Sequence, residues 1–149
     1  MLHHKKIIKI FTNGCWDLFH AGHLKILEEA SKLGTELHVG INSDKSVSNL
    51  KGSNRPIIPE NQRLNIVRSI KYVDYVYLFD TPTPIKLIEY IKPDIIVKGG
   101  DYTPNEIVGS HLAKVVIIPL MNNISTTKIV MKINHELSKK EIIKVNGEY

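Results

Sequence analysis

A single cysteine, Cys15, in 149 residues leaves no partner for an intramolecular disulfide and no cluster for a multi-cysteine zinc site. Thiol chemistry is confined to that one position, and the usage fits a reducing compartment. Long hydrophobic runs are also missing. The longest, Val115 to Met121, is already broken by Pro119 and falls far short of the ~20 residues of a membrane span. After Met1 to Lys6 only Ile7, Ile8, Ile10 and Phe11 are apolar before polar residues resume, so no signal-peptide stretch is read and the expected location is cytoplasmic. Basic blocks longer than a pair, an RNA-binding aromatic motif and a zinc finger are all absent. The excess of 20 Lys+Arg over 15 Asp+Glu, a net +5, therefore favours anionic partners without pointing to nucleic acid. Membrane insertion is not expected either.

The chain does have enough apolar residues, 42%, for a real core at a size where folding buries roughly 70% of the unfolded surface. They fall in short β-branched clusters: Ile7 to Phe11, Leu37 to Ile41, Tyr75 to Phe79, Ile95 to Val97 and Val115 to Ile118. Each reads as a strand buried on both faces. Between them, helical spacing links Leu24, Leu27, Ala30 and Leu33, then Leu64, Val67 and Ile70, then Ile85, Ile88 and Ile91; a last helix carries Ile129, Ile133 and Leu137. Gly34, Pro59, Pro82, Pro84 and Pro93 punctuate these helices where they should start or stop. The alternation predicts an α/β fold, a single doubly wound, Rossmann-like parallel sheet of about five strands with right-handed crossovers. The domain is expected over residues 1–137, followed by a tail, 138–149, whose role the sequence does not reveal.

In such a sheet ligands bind beyond the carboxyl ends of the strands, so the loop after the first strand is the first place to look. It reads Thr12-Asn13-Gly14-Cys15-Trp16-Asp17-Leu18-Phe19-His20-Ala21-Gly22-His23 and ends where the first helix begins. Gly14 permits a tight turn, and Gly22 removes a side chain at the helix start. Free N–H groups and the helix dipole would face an anion there, with His20 and His23 on one side as further donors. A phosphate fits this arrangement. Two other readings stand beside it: zinc ligation, for which no Glu lies between the histidines and no cysteine cluster exists, and an ordinary cap with a satisfied core histidine. The dinucleotide pattern G-x-G-x-x-G is absent from this turn.

The segment Asn-Gly-Cys-Trp-Asp-Leu-Phe-His-Ala-Gly-His resembles the H-x-G-H signature of the cytidylyltransferase-like nucleotidyltransferases. Three later segments match in order: Lys51-Gly52-Ser53-Asn54-Arg55-Pro56, Val97-Lys98-Gly99-Gly100-Asp101-Tyr102 and Ile124-Ser125-Thr126-Thr127-Lys128-Ile129. Thr-Asn-Gly-Cys, Lys-Gly-Gly-Asp-Tyr and Glu106-Ile107-Val108-Gly109 make the subgroup acting on D-glycero-D-manno-heptose 1-phosphate the nearest likeness, in its stand-alone form since no sugar-kinase half precedes. Trp16 stands where Phe is usual.

The resemblance implies transfer of AMP from ATP to a sugar 1-phosphate with release of pyrophosphate. A cytidylyltransferase for glycerol 3-phosphate or a similar alcohol phosphate is the alternative, and a non-catalytic nucleotide-binding module is the second. By similarity His20, His23 and Lys51 are catalytic, with Lys51 in a flexible Gly-Ser-Asn segment closing over the phosphates. The nucleotide would be held by Thr12, Asn13, Gly14, Cys15, His20, His23, Lys98, Gly99, Asp101, Ser125, Thr126 and Thr127. Arg55 and Arg63 are weaker phosphate or substrate contacts, and Arg63, three residues after Glu60, also reads as half of a surface ion pair. Asp17 reads as a loop anchor and Cys15 as a packing residue rather than a nucleophile. Mg2+ is expected on the ATP phosphates, with no protein ligand assigned, and a homodimer is consistent with the family.

Overall fold

The β-branched clusters pair as parallel strands: β1 (Lys9–Gly14), β2 (Glu36–Asn42), β3 (Tyr75–Phe79), β4 (Ile95–Gly99) and β5 (Lys114–Ile118). A computed structural model, which describes residues 4–146 with side chains to residue 138, arranges them as one five-stranded sheet in the order β3-β2-β1-β4-β5. Every pairing is parallel, so helices must return the chain across the faces. They are α1 (Ala21–Ser31), α2 (Asp44–Lys51), α3 (Glu60–Arg68), α4 (Ile85–Ile91) and α5 (Thr126–Asn146), with a short 3₁₀ turn at Pro104–Glu106.

The sheet has a core on each face. One is built on Ile10, Leu27, Ala30, Leu37, Val39, Ile41, Val67 and Val97, and the other on Phe11, Ile88, Ile91, Ile96 and Ile107. Ile10 and Phe11 are adjacent in β1 yet fall in different clusters, as period-2 alternation on a central strand requires. The expectation of burial on both faces fails for β3. It is an edge strand, paired with β2 alone among the described strands, and Tyr75 and Leu78 are 48% and 42% exposed. A second correction concerns α2, which the apolar spacing did not reveal. Lys51 is its last residue rather than part of a loop, and the Ser43 hydroxyl caps its start by accepting from Ser46 N–H.

Strand order reverses between β1 and β4, where the chain leaves one way into α1 and the other way toward β5. That switch point is where the two glycine-containing loops meet. The final helix runs through residue 137 to Asn146, across the boundary expected from sequence. Residues 147–149 of the expected tail lie outside the described residues. No helix among the described residues is long and apolar enough to cross a membrane.

Candidate active site

The chain leaving β1 does not run straight into α1. Trp16 and Leu18 take left-handed backbone, φ 55° and 49°, a conformation that costs a non-glycine residue about 1 kcal/mol or more. Contacts on every side hold it. The Trp16 indole is buried and donates from Nε1 to the Gly40 carbonyl at 3.0 Å. Between the two strained residues, the buried Asp17 carboxylate accepts from the backbone N–H of Ile57 and Ile58, both at 2.8 Å, and from Arg55 Nε at 3.0 Å. Burial alone would raise the Asp17 pKa, but these backbone donors and the Arg55 guanidinium hold it below the ordinary carboxylate value. Asp17 is thus the loop anchor that the sequence suggested.

Arg55 and Arg63 are engaged with the protein. Arg55 Nη2 sits 3.0 Å from Asp17 Oδ2, but it is not aligned for a hydrogen bond and is a buried donor without one among the described residues. Arg63 is fully buried. Its Nη1 donates to the carbonyls of Cys15 (2.6 Å) and Asn42 (2.7 Å), Nε to that of Ile58 (2.9 Å), and Nη2 to Asp44 Oδ1 (2.8 Å). This corrects both sequence readings of Arg63. It has no surface to offer a ligand, and Glu60 is not its partner, since the Glu60 carboxylate accepts from Asp44 N–H at 2.7 Å. A buried guanidinium surrounded by carbonyls is a structural hub that ties the β1–α1 loop to the ends of β2 and α3.

His20 and His23 form the mouth of α1. His20 is the N-cap, and its Nδ1 accepts from Gly22 N–H at 3.0 Å; His23 Nδ1 accepts from His20 N–H at 3.2 Å. A backbone N–H can only donate, so both Nδ1 atoms are unprotonated and a neutral ring carries its proton on Nε2. The rings stack with centroids 3.9 Å apart, and Trp16 and Phe19 pack against His23 at 5.5 and 5.3 Å. Burial first, then the positive charges of His20 and Lys51, push the His23 pKa down to about 4 against a partial offset from Asp17. Burial lowers that of His20 as well. At neutral pH both rings are therefore uncharged donors at a helix N-terminus. Gly22 is needed because a Cβ there would come within 2.8 Å of the His20 ring.

His23 opens onto a cleft of about 150 Å³ lined by Thr12, Asn13, Gly14, Cys15, Lys98 and Gly99, with Trp16, Ile26 and Tyr102 completing the wall. Seven of the residues singled out from sequence thus share one cavity, counting His23 with the first six of that lining. Lys98 reaches from the end of β4 to the end of β1, where Nζ donates to Asn13 O (3.1 Å) and Oδ1 (3.2 Å). Burial lowers its pKa from the ordinary lysine value, partly opposed by Cys15. Cys15 is a free thiol, partly buried on the cleft.

Other expected residues stand around this cleft rather than in it. Lys51 is exposed at the end of α2, and Asp101 is exposed beyond β4. The start of α5 is joined to the loop by Thr126 Oγ1, which donates to the Asp17 carbonyl at 3.1 Å. Ser125 Oγ accepts from Lys128 N–H at 3.1 Å as a cap. Ile124 lies against the first turn of α1, 3.5 Å from where a Gly22 Cβ would stand. Two helix N-termini therefore converge, each presenting a positive dipole end.

Tyr102 is a lining residue to which the sequence reading gave no role. Its signal is the pair of glycines ahead of an aromatic: Gly100 has φ 130°, and a Cβ there would lie 2.9 Å from the Tyr102 ring. Among the described residues no group of three or more His, Cys, Asp or Glu is arranged to hold a metal ion, and the Asp17 carboxylate is fully engaged. A protein-held metal does not fit these side chains.

The profile of the cytidylyltransferase-like family matches residues 11–132, from β1 into α5. The chain belongs to the cytidylyltransferase-like family. Among its relatives, Bifunctional protein HldE of Nitratiruptor sp. is 52% identical over 122 residues, covering 81% of this chain and 26% of the relative. Bifunctional protein HldE of Syntrophotalea carbinolica is 47% identical over 129 residues, covering 83% of this chain and 26% of the relative. The protein of that name from Campylobacter jejuni is 49% identical over 130 residues, covering 87% and 28%. The chain thus spans about a quarter of the length of these relatives. A crystal structure of the lipopolysaccharide core biosynthesis protein from Thermoplasma volcanium matches with a TM-score of 0.65 and 30% identity, covering 78% of this chain and 98% of that one. The family match spans the histidine loop, Lys51, Lys98 and the Ser125-Thr126-Thr127 run, the elements that converge on the cleft.

Proposed function

We propose that the protein is a nucleotidyltransferase that moves AMP from ATP onto D-glycero-D-manno-heptose 1-phosphate, giving an ADP-activated heptose and pyrophosphate. The observation that carries this reading is the stacked pair of neutral histidines at the α1 N-terminus, opening onto a cleft at the strand-order switch. Membership of the cytidylyltransferase-like family supports the reaction class. The heptose assignment is supported by the subgroup motifs, by similarity to Bifunctional protein HldE over about a quarter of that protein, and by likeness to a lipopolysaccharide core biosynthesis protein.

In this reaction an oxygen of the sugar phosphate attacks the α-phosphorus of ATP. The bond from that phosphorus to the bridging oxygen breaks, and pyrophosphate leaves with the electron pair. The nucleophile is already ionised at neutral pH, so the protein's tasks are alignment and neutralisation of charge. Thr12, Asn13, Gly14, Cys15 and Gly99 line the nucleotide's place, and Asp101 accepts from ribose hydroxyls. The Nε2–H groups of His20 and His23 donate to the phosphates. With each Nδ1 held as the acceptor of a backbone N–H, the rings meet the phosphates as neutral donors. Lys51 adds a mobile cation from the end of α2, and Ser125 to Thr127 with the α5 N-terminus complete the polyphosphate cradle. Arg55, turned inward to Asp17, has a weaker claim to a phosphate contact. Mg2+ would travel on the triphosphate and lower its charge.

Pyrophosphate release tests this reading. It should require ATP and heptose 1-phosphate together. Turnover only with CTP and glycerol 3-phosphate would replace the reading with the cytidylyltransferase, and ATP binding without any product would replace it with a nucleotide-binding module. A homodimer is also proposed, supported by the exposure of Ile133 and Leu137, one helical turn apart on α5. Light scattering that gives a monomer mass at assay concentration would end that proposal.

A further inference from the structure

A second pocket, of about 180 Å³, lies on the other side of Lys98 from the histidines. Asn13, Lys98 and Tyr102 line both it and the histidine cleft, so the two cavities adjoin at these three side chains, of which Lys98 alone is charged. The remaining wall comes from Pro82, Thr83 and Pro84 before α4 and from Glu106, Ile107 and Val108 after the 3₁₀ turn. No nucleotide role has used these segments.

The chemistry of the wall is selective. Lys98 is its only cation and Glu106 its only carboxylate, while Thr83 and Tyr102 bring hydroxyls and the prolines, Ile107 and Val108 an apolar surface. Such a wall suits a polyhydroxylated ring bearing one anionic group; a triphosphate would want more than one positive charge. Glu106 is held in place by accepting from Thr103 N–H (2.7 Å) and Oγ1 (3.0 Å), and Ile107 is buried in the second core, which fixes the backbone of Val108. Lys98 gives two of its three N–H bonds to Asn13, has no ion-pair partner among the described residues, and keeps one donor for a ligand.

We infer that this pocket receives the sugar of the acceptor and that Lys98 holds the acceptor phosphate at the junction of the two cavities, against the α-phosphate of the nucleotide. The inference rests on the transferase reading above. Two phosphates must approach within bonding distance for transfer, and a cation between them removes much of their repulsion. Lys98 thereby serves acceptor binding and the chemical step, a different task from simple nucleotide binding.

The test is calorimetric titration of the protein with ATP and, separately, with heptose 1-phosphate, for wild type, Lys98→Gln and Val108→Trp. Val108 is 38% exposed, so a tryptophan there fills the pocket without disturbing the core. Val108→Trp should weaken sugar phosphate binding by about 10-fold or more and change ATP binding by less than about threefold. Lys98→Gln removes an ammonium that also lines the nucleotide cleft. It should weaken sugar phosphate binding by about 10- to 100-fold, the worth of one bond to a charged group, and ATP binding by less. Lys98→Gln should also lower kcat, and Lys98→Arg should recover part of it. An unchanged sugar phosphate affinity in Val108→Trp overturns the assignment, as does a loss of ATP binding equal to the loss of acceptor binding. Those outcomes leave the transferase reading intact if wild type still turns over. Wild type that neither binds nor converts any sugar phosphate overturns both.

Discussion

On the histidine side of Lys98, the loop after β1 is bonded to β2 through Trp16, to the 55–58 segment through Asp17, to α3 through Arg63 and to α5 through Thr126. On the Tyr102 side the ties are fewer: Gly100 N–H donates to the Ile118 carbonyl at 3.0 Å, Thr103 and Glu106 form a capping pair, and Ile107 and Gly109 are buried anchors. Asp101, Tyr102, Glu106 and Val108 all face solvent there. The difference follows from what each side is asked to do. Stabilising charge that develops on a phosphate needs donors fixed before the reaction, because reorienting them would cost what they contribute. Recognising a sugar needs hydroxyl partners on loops that can adjust, with rigidity only beneath them. Strain at Trp16 and Leu18 belongs with the first kind of construction, since only a heavily bonded loop can hold it.

The largest effect should come from removing the hub of the fixed side. Arg63→Met leaves the carbonyls of Cys15, Asn42 and Ile58 without their donor and Asp44 without its cation. We expect a stability loss of about 3 kcal/mol in urea unfolding. A loss below about 1 kcal/mol would mean that Trp16 and Asp17 hold the loop alone. Next is His23→Ala, which removes a donor aimed at the reacting phosphates and should lower kcat by about 10²- to 10³-fold with the KM for sugar phosphate little changed. Wild-type kcat in this variant would take His23 out of the chemistry.

The sheet was legible because a parallel strand is a short continuous apolar cluster, and β3 matched its cluster residue for residue. Only its exposure was misread, since no cluster states whether it will lie at an edge. The helix α2 was not legible, because among its residues only Val47 and Leu50 are apolar and the rest of Asp44 to Lys51 is polar. The histidine loop could be read because its chemistry is contiguous in sequence. Arg63 could not, because the carbonyls that enclose it come from Cys15, Asn42 and Ile58 and meet only in the fold. The second pocket escaped for the same reason, being assembled from Asn13, residues 82–84, Lys98, Tyr102 and residues 106–108.

A smaller effect tests the neutral state of the histidines. In the unfolded chain His23 has a pKa near 6.5, and in the folded protein about 4. As pH falls through this interval the unfolded state takes up a proton that the folded state refuses, so stability is lost on acidification. The His20 shift has the same direction and adds to the loss. Asp17 works in a lower window: its depressed pKa stabilises the fold above the unfolded value near 3.8 and ceases to do so as pH falls further. Tm measured from pH 7 to 4 should therefore decline in wild type and decline less in His23→Gln. Parallel curves would show that the folded ring takes up its proton as the unfolded one does.

The smallest effects distinguish the hydroxyls at the start of α5. Ser125 Oγ accepts from Lys128 N–H and Thr126 Oγ1 donates to the Asp17 carbonyl, whereas the exposed Thr127 hydroxyl has no hydrogen bond among the described residues. Ser125→Ala should thus cost about 1 kcal/mol of stability, the usual worth of an N-cap. Thr127→Val should leave stability unchanged and raise the KM for ATP by about threefold, as loss of one weak phosphate contact at a solvated helix end would. The first variant should lose mainly stability and the second mainly ATP affinity. If Thr127→Val changes neither, the phosphates are met at this end by the helix N–H groups alone, and the hydroxyl run is a cap and a tether to the histidine loop.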